Sequence, residues 1–312
     1  MENSKIITNW LKDTAQGNNF KITKETWIKD FFPQLFCYKA EYVYKNERIL
    51  GLGISFDEHE AFLKSFSEVV ERSYVSIANI SSSSGCAVHF TPKQAIECAR
   101  TELFERDAFL FHFLNHISFR DNQARFFDFK ERCILRSLVK LGFKYRIKRS
   151  ETCIGEPLSI FYLFPPNYKG FILGLGAGKQ ALIRSILEVL HDGLKLYIHK
   201  NIRDISLNQF SEIKNPTFRN HMQLALNADY CFKYFSSFTK EFEAMDTSLK
   251  PTLDYNIEPM AIHKPFQGLP LYFARVSSKD LQHLFRGGKN SENYNPSRIG
   301  TVTLNRLVHP VS

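Results

Sequence analysis

Apolar and polar positions along the chain switch between a two-residue and a 3.6-residue period. Residues 36–44 and 48–54 alternate as strands do, around a turn at Lys45-Asn46. Ser55-x-x-Glu58 is a capping-box signal and opens a helix to about Ala78. A Ser-rich loop at 81–85 leads to a short strand over 86–90. Thr91-Pro92-Lys93-Gln94 then supplies an N-cap, a proline at the first helical position and a glutamine at the third, and predicts a helix to about Leu114. A helix is expected over 134–141 and a half-exposed strand over 143–148. Residues 158–164 and 171–175 flank Pro165-Pro166-Asn167-Tyr168-Lys169-Gly170 as a hairpin. A third long helix follows over 179–199. Residues 1–36 have no clear period. Helical patches are expected near 218–228 and 235–245, strands over 271–276 and 301–308, and loop over 286–300. Strands and helices are mixed and no linker divides the chain, so the pattern predicts one large domain of α/β (α+β) class.

Composition narrows this picture. With 312 residues, 44% hydrophobic and 14% aromatic, the chain can bury a sizeable core, which excludes disorder, collagen and coiled coil. Apolar runs such as 160–164 are too short to span a bilayer, and the N-terminus lacks an apolar signal region. The expectation is a soluble, cytoplasmic protein. Its formal net charge of +9 points to an anionic partner: nucleic acid, nucleotide or acidic peptide. Basic residues Lys140, Lys144, Arg146, Lys148 and Arg149 alternate with Phe143, Tyr145 and Ile147. That is the pattern of a half-buried strand, and no nucleic-acid recognition motif accompanies it.

Several features suggest chemistry and fail on inspection. The six cysteines, at 37, 86, 98, 133, 153 and 231, contain no Cys-x-x-Cys pair and read as buried free thiols. His112 and His116 are four apart, but no glutamate lies between them as in His-Glu-x-x-His. Gly174-Leu175-Gly176-Ala177-Gly178-Lys179 imitates a nucleotide loop. It misses the P-loop pattern at Leu173 and Gln180, misses the dinucleotide pattern at Lys179, and reads as a tight strand-to-helix turn.

The informative feature is a near-repeat: Ser67-Glu68-Val69-Val70-Glu71-Arg72 and Thr101-Glu102-Leu103-Phe104-Glu105-Arg106. In each, two glutamates three apart share one helix face. One account is a solvated face with the ion pairs Glu68–Arg72 and Glu102–Arg106. The other starts from the stripes that carry them, Ala61 through Val75 to Ala78, and Ala95, Cys98 and Phe109, which continue into apolar positions. Gathered, partly buried carboxylates repel unless cations neutralise them. Four of them on two helices suit hard, oxygen-liking cations, above all Mg²⁺ shared with phosphate oxygens. The third long helix adds Arg184 and Glu188, four apart, with His191 and Lys195 continuing that face; these could serve phosphate and metal or form a plain ion pair.

The ordered set of segments resembles the YcaO family of ATP-dependent enzymes. It runs from Gly51-Leu52-Gly53, through Ala61-x-x-Lys64-Ser65-x-x-Glu68-x-x-Glu71-Arg72, to Ser84-Gly85-Cys86-Ala87-Val88-His89-Phe90. It continues through Ala95-Ile96, Glu102-x-x-Glu105-Arg106-Asp107-Ala108, Gly176-Ala177, Ala181-x-x-Arg184-x-x-x-Glu188 and Pro270-Leu271-Tyr272-Phe273-Ala274-Arg275-Val276. The resemblance covers about residues 40–312, leaving 1–39 as an N-terminal segment. It implies a YcaO-like mixed sheet with packed helices that binds ATP and Mg²⁺. Glu68, Glu71, Glu102 and Glu105 match metal-holding positions, and Arg106, Arg184 and Glu188 match nucleotide-contacting ones. It further implies phosphorylation of peptide backbone amides in a ribosomally made precursor (leader plus core), forming thiazolines or oxazolines from Cys, Ser or Thr. Phosphoryl transfer needs positioned cations more than a protein nucleophile. The partners implied are a separate leader-recognising, E1-like protein and a flavin-dependent dehydrogenase, with a homo-oligomer open and neither nucleic acid nor membrane expected. Departures stand beside the match: Leu52 lies where many members have lysine, Lys64 where some have serine, His191 where glutamine is frequent, and Val308-His309-Pro310-Val311-Ser312 is a thin form of a Pro-rich tail. Thioamide or amidine formation, and a non-catalytic peptide-binding subunit, stay open as alternatives.

Overall fold

The computed structural model describes residues 2–13, 19–80, 83–121, 127–199, 202–214, 216–242, 250–263, 266–284, 294–299 and 307–310. The chain forms two compact units: Met1–Leu103 with Leu253–Ser277, and Phe104–Thr252 with Ser278–Ser312.

The first unit begins with helix α1 (Glu2–Asp13), strand β1 (Phe20–Lys24) and a short 3₁₀ turn (Thr26–Asp30), none of which the periodicity announced. β1 pairs antiparallel with β2 (Phe36–Tyr44), and β2 with β3 (Glu47–Ser55). The β2–β3 turn has both Lys45 and Asn46 at positive φ, 49° and 66°, which matches a two-residue hairpin turn. Helix α2 (Glu58–Ile77) is capped by Asp57, whose side chain accepts the Glu60 N–H. Ser55 does not cap it; its hydroxyl donates to the Glu60 carboxylate instead. A second sheet orders β4 (Cys86–His89), β10 (Tyr272–Ser277) and β9 (Asp254–Pro259), so the chain's late strand is the central one. The unit's core gathers Ile7 and Trp10 of α1, Phe20 of β1, Phe66 and Val70 of α2, and Phe266 and Phe273. The Trp10 indole N–H donates to the Gln267 carbonyl at 2.9 Å, satisfying the one polar atom of that ring.

Two glycines decide how β3 meets α2. A Cβ on Gly53 would lie 1.9 Å from the Ala61 carbonyl oxygen, and one on Gly51 2.3 Å from that of Ser65. Those atoms are backbone and cannot move aside, so Gly53→Ala is expected to lower stability by on the order of 3 kcal/mol, read by urea denaturation.

Helix α3 (Pro92–Leu114) starts in the first unit and ends in the second. Its start is as expected, with the Thr91 hydroxyl accepting the Gln94 N–H. In the second unit, β5 (Arg120–Asp121), β6 (Lys144–Glu151), β7 (Pro157–Phe164) and β8 (Ile172–Ala177) form an antiparallel sheet in chain order. Helix α4 (Phe129–Lys140) begins with an Asp128–Glu131 capping box, earlier than the periodicity placed it. Helix α5 (Ala181–His199) follows β8 through Gly178, which has φ +82°, the strand-to-helix turn expected there. Short helices α6 (Leu207–Ser211), α7 (Phe218–Ala225) and α8 (Ala228–Ser236) come next. The helix expected over 235–245 is not formed: α8 ends at Ser236, and residues 243–249 lie outside the described residues. Tyr162, Phe171 and Tyr234 are fully buried together, with the Tyr162 and Tyr234 hydroxyls 2.9 Å apart. The last helix is α9 (Pro296–Ile299). Of the strand expected over 301–308, residues 301–306 lie outside the described residues. The α/β class holds, divided among the described residues into three small antiparallel sheets. No helix among the described residues is long and apolar enough to cross a membrane.

Candidate functional site

In the first unit the close β3–α2 contact brings main chain to a carboxylate. The Leu52 N–H donates to Glu68 Oε2, and Arg72, one turn along α2, reaches Glu68 Oε1 at 2.6 Å and the Leu50 carbonyl at 2.9 Å. Glu71 is half-buried on the same face. Burial foremost, then the charges of Glu102 on α3 and of Glu68, push its carboxyl well above the usual value of 4.5, against a smaller pull from Arg72. Cys86 on β4 belongs to this group: burial first, then Glu71 and Glu102, push its thiol up to about 12. Glu68, Glu71 and Glu102 therefore act on one another as a partly desolvated set of negative charges.

The second unit repeats the close approach. A Cβ on Gly176 would lie 2.1 Å from the Ala181 carbonyl oxygen, so β8 runs tight against α5. The Leu175 N–H donates to Glu188 Oε2, and Arg106 of α3 reaches Glu188 Oε1 at 3.0 Å. Arg106 also lies 3.8 Å from Glu105, which is 4% exposed. Burial raises the Glu105 carboxyl and Glu188 adds to this, while Arg106, Arg184 and the Ala177 N–H pull it back; the net displacement is upward. Arg184 is exposed and reaches the Ala177 carbonyl at 3.3 Å. Next along α3, the fully buried Asp107 receives two bonds from Arg298, at 3.0 and 2.9 Å, and one from the Gln282 N–H at 2.8 Å.

Residues 308–310 are tied to this unit. Tyr230 donates to the Val308 carbonyl, and the His221 ring bonds the His309 carbonyl at 2.9 Å. Pro310 then lines a pocket with Glu188, Val189, Asp192 and Met222.

Glu68, Glu71 and Glu102 thus come together in one unit, and Glu105, Arg106, Arg184 and Glu188 in the other. Sequence reasoning read Arg72 only as an ion-pair partner, although it also holds the Leu50 carbonyl, and it missed Arg298, Tyr230 and His221 as anchors. It also placed Cys98 on a buried stripe, where the structure leaves it exposed; Ala78 is exposed as well. His112 and His116 do not face one ligand. His112 bonds Ser150 at 2.6 Å, while His116 has left the helix at φ 61° and bonds the Ser237 carbonyl. Among the described residues no group of three His, Cys, Asp or Glu side chains is set closely enough to hold a metal ion unaided. The donors that are gathered are carboxylate oxygens, which suit a hard cation sharing its coordination with ligand and water oxygens.

The antiparallel α/β fold, with carboxylate-bearing helices tight against glycine strands, goes with a family whose model is described as binding ATP and Mg²⁺. The family model described as "YcaO cyclodehydratase, ATP-ad Mg2+-binding" matches residues 78–258, more than half of the chain. The chain belongs to the YcaO family. No curated protein matches its sequence. Among solved structures it is similar to YcaO from Methanopyrus kandleri bound with AMPPCP and Mg²⁺, with a TM-score of 0.58 and 10% identity over 88% of this chain and 90% of that one. A heterocyclase in complex with substrate and cofactor gives a TM-score of 0.65 and 11% identity over 99% of this chain, which spans 57% of the heterocyclase. A chain of the E. coli microcin synthetase McbBCD complex gives 0.52 and 10%, over 78% of this chain and 85% of that one. At these identities the likeness is one of fold.

Proposed function

We propose that the chain is an Mg²⁺-ATP-dependent enzyme that phosphorylates backbone amide oxygens of a ribosomally made peptide and closes Cys, Ser or Thr residues to azolines. The observation that carries this reading is the set Glu68, Glu71 and Glu102, three carboxylates held together in part desolvation. Mutual repulsion and lost hydration make such a set costly by itself, and the attraction of a bound divalent cation offsets both. Glu105 and Glu188 form the corresponding pair in the second unit. Arg106 and Arg184 beside them fit the charge of phosphate oxygens.

When bound, Mg²⁺-ATP supplies the phosphoryl group that turns the amide oxygen into a leaving group. The substrate side chain is the nucleophile, so the chain needs none of its own. Its residues bind and orient. The Leu52 and Leu175 N–H groups and the Arg72 and Arg106 guanidinium groups fix Glu68 and Glu188, and the buried Glu105 is held by Arg106 and the Ala177 N–H.

In this reading residues 40–312 act as the catalytic domain and 1–39 as an N-terminal segment. A separate protein recognises the leader peptide, and a flavin-dependent dehydrogenase oxidises azolines to azoles. The description of the matching family model as a cyclodehydratase supports azoline chemistry over thioamide or amidine formation.

Glu102→Gln and Glu105→Gln are each expected to lower peptide-dependent ATP turnover by on the order of 100-fold. Undiminished turnover in both would refute the metal role. Mass spectrometry of a co-expressed precursor separates the products: loss of one water per site marks cyclodehydration, and exchange of oxygen for sulfur marks thioamidation.

A further inference from the structure

The chain contains the same strand–helix device twice. Gly51-Leu52-Gly53 is followed by Ala61-Phe62-Leu63-Lys64-Ser65-Phe66-Ser67-Glu68-Val69. Gly174-Leu175-Gly176 is followed by Ala181-Leu182-Ile183-Arg184-Ser185-Ile186-Leu187-Glu188-Val189. The pattern Ala-x-x-cation-Ser-x-x-Glu-Val recurs position for position, and only the connection from strand to helix differs in length.

The two copies pack alike. Added Cβ atoms on Gly53 and Gly176 meet the carbonyl oxygens of Ala61 and Ala181 at 1.9 and 2.1 Å. Those on Gly51 and Gly174 meet the carbonyl oxygens of Ser65 and Ser185 at 2.3 and 2.1 Å. Ser65 and Ser185 are both fully buried, as are Phe66 and Ile186. In each copy the leucine between the glycines donates its N–H to Oε2 of the glutamate, and an arginine takes Oε1. Correspondence at this level fixes the remaining position: Lys64 stands on α2 where Arg184 stands on α5, one turn before the glutamate.

Arg184 is an exposed cation beside the carboxylate Glu105. Lys64 is likewise exposed, with Glu68 one turn ahead of it. Its partner in the structure is Glu60, at 2.9 Å, and both side chains are about half exposed, 48% and 53%. An ion pair that wet is readily exchanged for a more highly charged anion. A lysine four residues before Glu68 lies on the same helix face and on a flexible stem, placed to meet an oxygen of an anion that a cation would hold at Glu68.

We propose that Lys64 binds a phosphate oxygen of the nucleotide, as the first copy's counterpart of Arg184. This inference rests on the Mg²⁺-ATP reading above.

The test is titration calorimetry of Mg²⁺-ATP and AMP against the full chain and its Lys64→Met, Lys64→Arg and Arg184→Met variants. Lys64→Met is expected to weaken Mg²⁺-ATP binding about tenfold and AMP binding by less than about twofold, with Lys64→Arg close to the parent. Because Lys64 is exposed, an unchanged melting temperature verifies that the fold is intact. The proposal falls if Lys64→Met binds Mg²⁺-ATP like the parent, whatever Arg184→Met does, or if ATP and AMP are weakened alike. If the parent chain itself binds no Mg²⁺-ATP, the reading beneath it falls first.

Discussion

Replacing Glu71 by Gln is expected to stabilise the ligand-free protein at pH 8 by about 1 kcal/mol and to weaken Mg²⁺-ATP binding by on the order of 100-fold. Both effects come from one cause. Burial and the neighbouring charges of Glu102 and Glu68 hold the Glu71 carboxyl well above 4.5 in the folded chain. A carboxyl whose pKa is raised by folding favours the folded state while it is protonated. That contribution is present at low pH and is lost as pH rises from about 4.5 through the folded value. Glu105 acts in the same direction, with burial as its first cause. These two groups therefore make the ligand-free chain less stable toward alkaline pH. Cation binding has the opposite slope, because it requires the ionised carboxylates. Thermal melts from pH 5 to 8 with and without Mg²⁺-ATP test this. The stabilisation by ligand should grow with pH in the parent chain and stay flat and small in Glu71→Gln. A ligand-free variant less stable than the parent at pH 8 would show that Glu71 is held by partners that favour its charge, contrary to the argument above.

What could be read ahead of the structure follows the range of the forces involved. The β2–β3 hairpin was legible because alternation and Lys45-Asn46 agree, and the start of α3 because Thr91, Pro92 and Gln94 are local signals. Strand β9 was not, since nearly all its residues are exposed and its sequence carries no buried alternation; it exists by pairing with β10. The N-cap of α2 was displaced by two residues because Ser55 and Asp57 are both competent caps, and the Ser55 hydroxyl is taken by Glu60. At the site, the doubled Glu-x-x-Glu-Arg pattern exposed four carboxylates, as helical spacing is a local property. The pairing of Arg106 with Glu188, 82 residues away, was not legible, because only the tertiary fold selects it. Nor was the strand–helix duplication apparent from the glutamate repeat. Its marks are small residues whose role emerges only when a Cβ is seen to have no room.

Another ion pair that only the tertiary fold selects gives the second large effect. Arg298→Met is expected to destabilise the protein by about 3–5 kcal/mol, and the double variant Asp107→Leu with Arg298→Met to recover much of that loss. Asp107 is fully buried, and the Arg298 side chain is 7% exposed. The guanidinium presents Nε and Nη2 to the two carboxylate oxygens, a fork that lysine cannot reproduce, and its Cζ lies 4.4 Å from the centroid of the Phe111 ring. Removing the arginine alone leaves Asp107 with the Gln282 N–H as its named remaining donor and a charge deep in the second unit. Removing both charges takes away the desolvation penalty along with the attraction, so much of the single-variant loss should be recovered. The pair lies 191 residues apart in sequence and ties α9 to the turn of α3 that follows Glu105 and Arg106. Loosening it should therefore also reach those two residues. Urea denaturation measures the first effect, and the Mg²⁺-ATP affinity of the folded Arg298→Met fraction measures the second. A single variant as stable as the parent would mean that solvent reaches Asp107 when its partner is gone, and that α3 is fixed by packing alone.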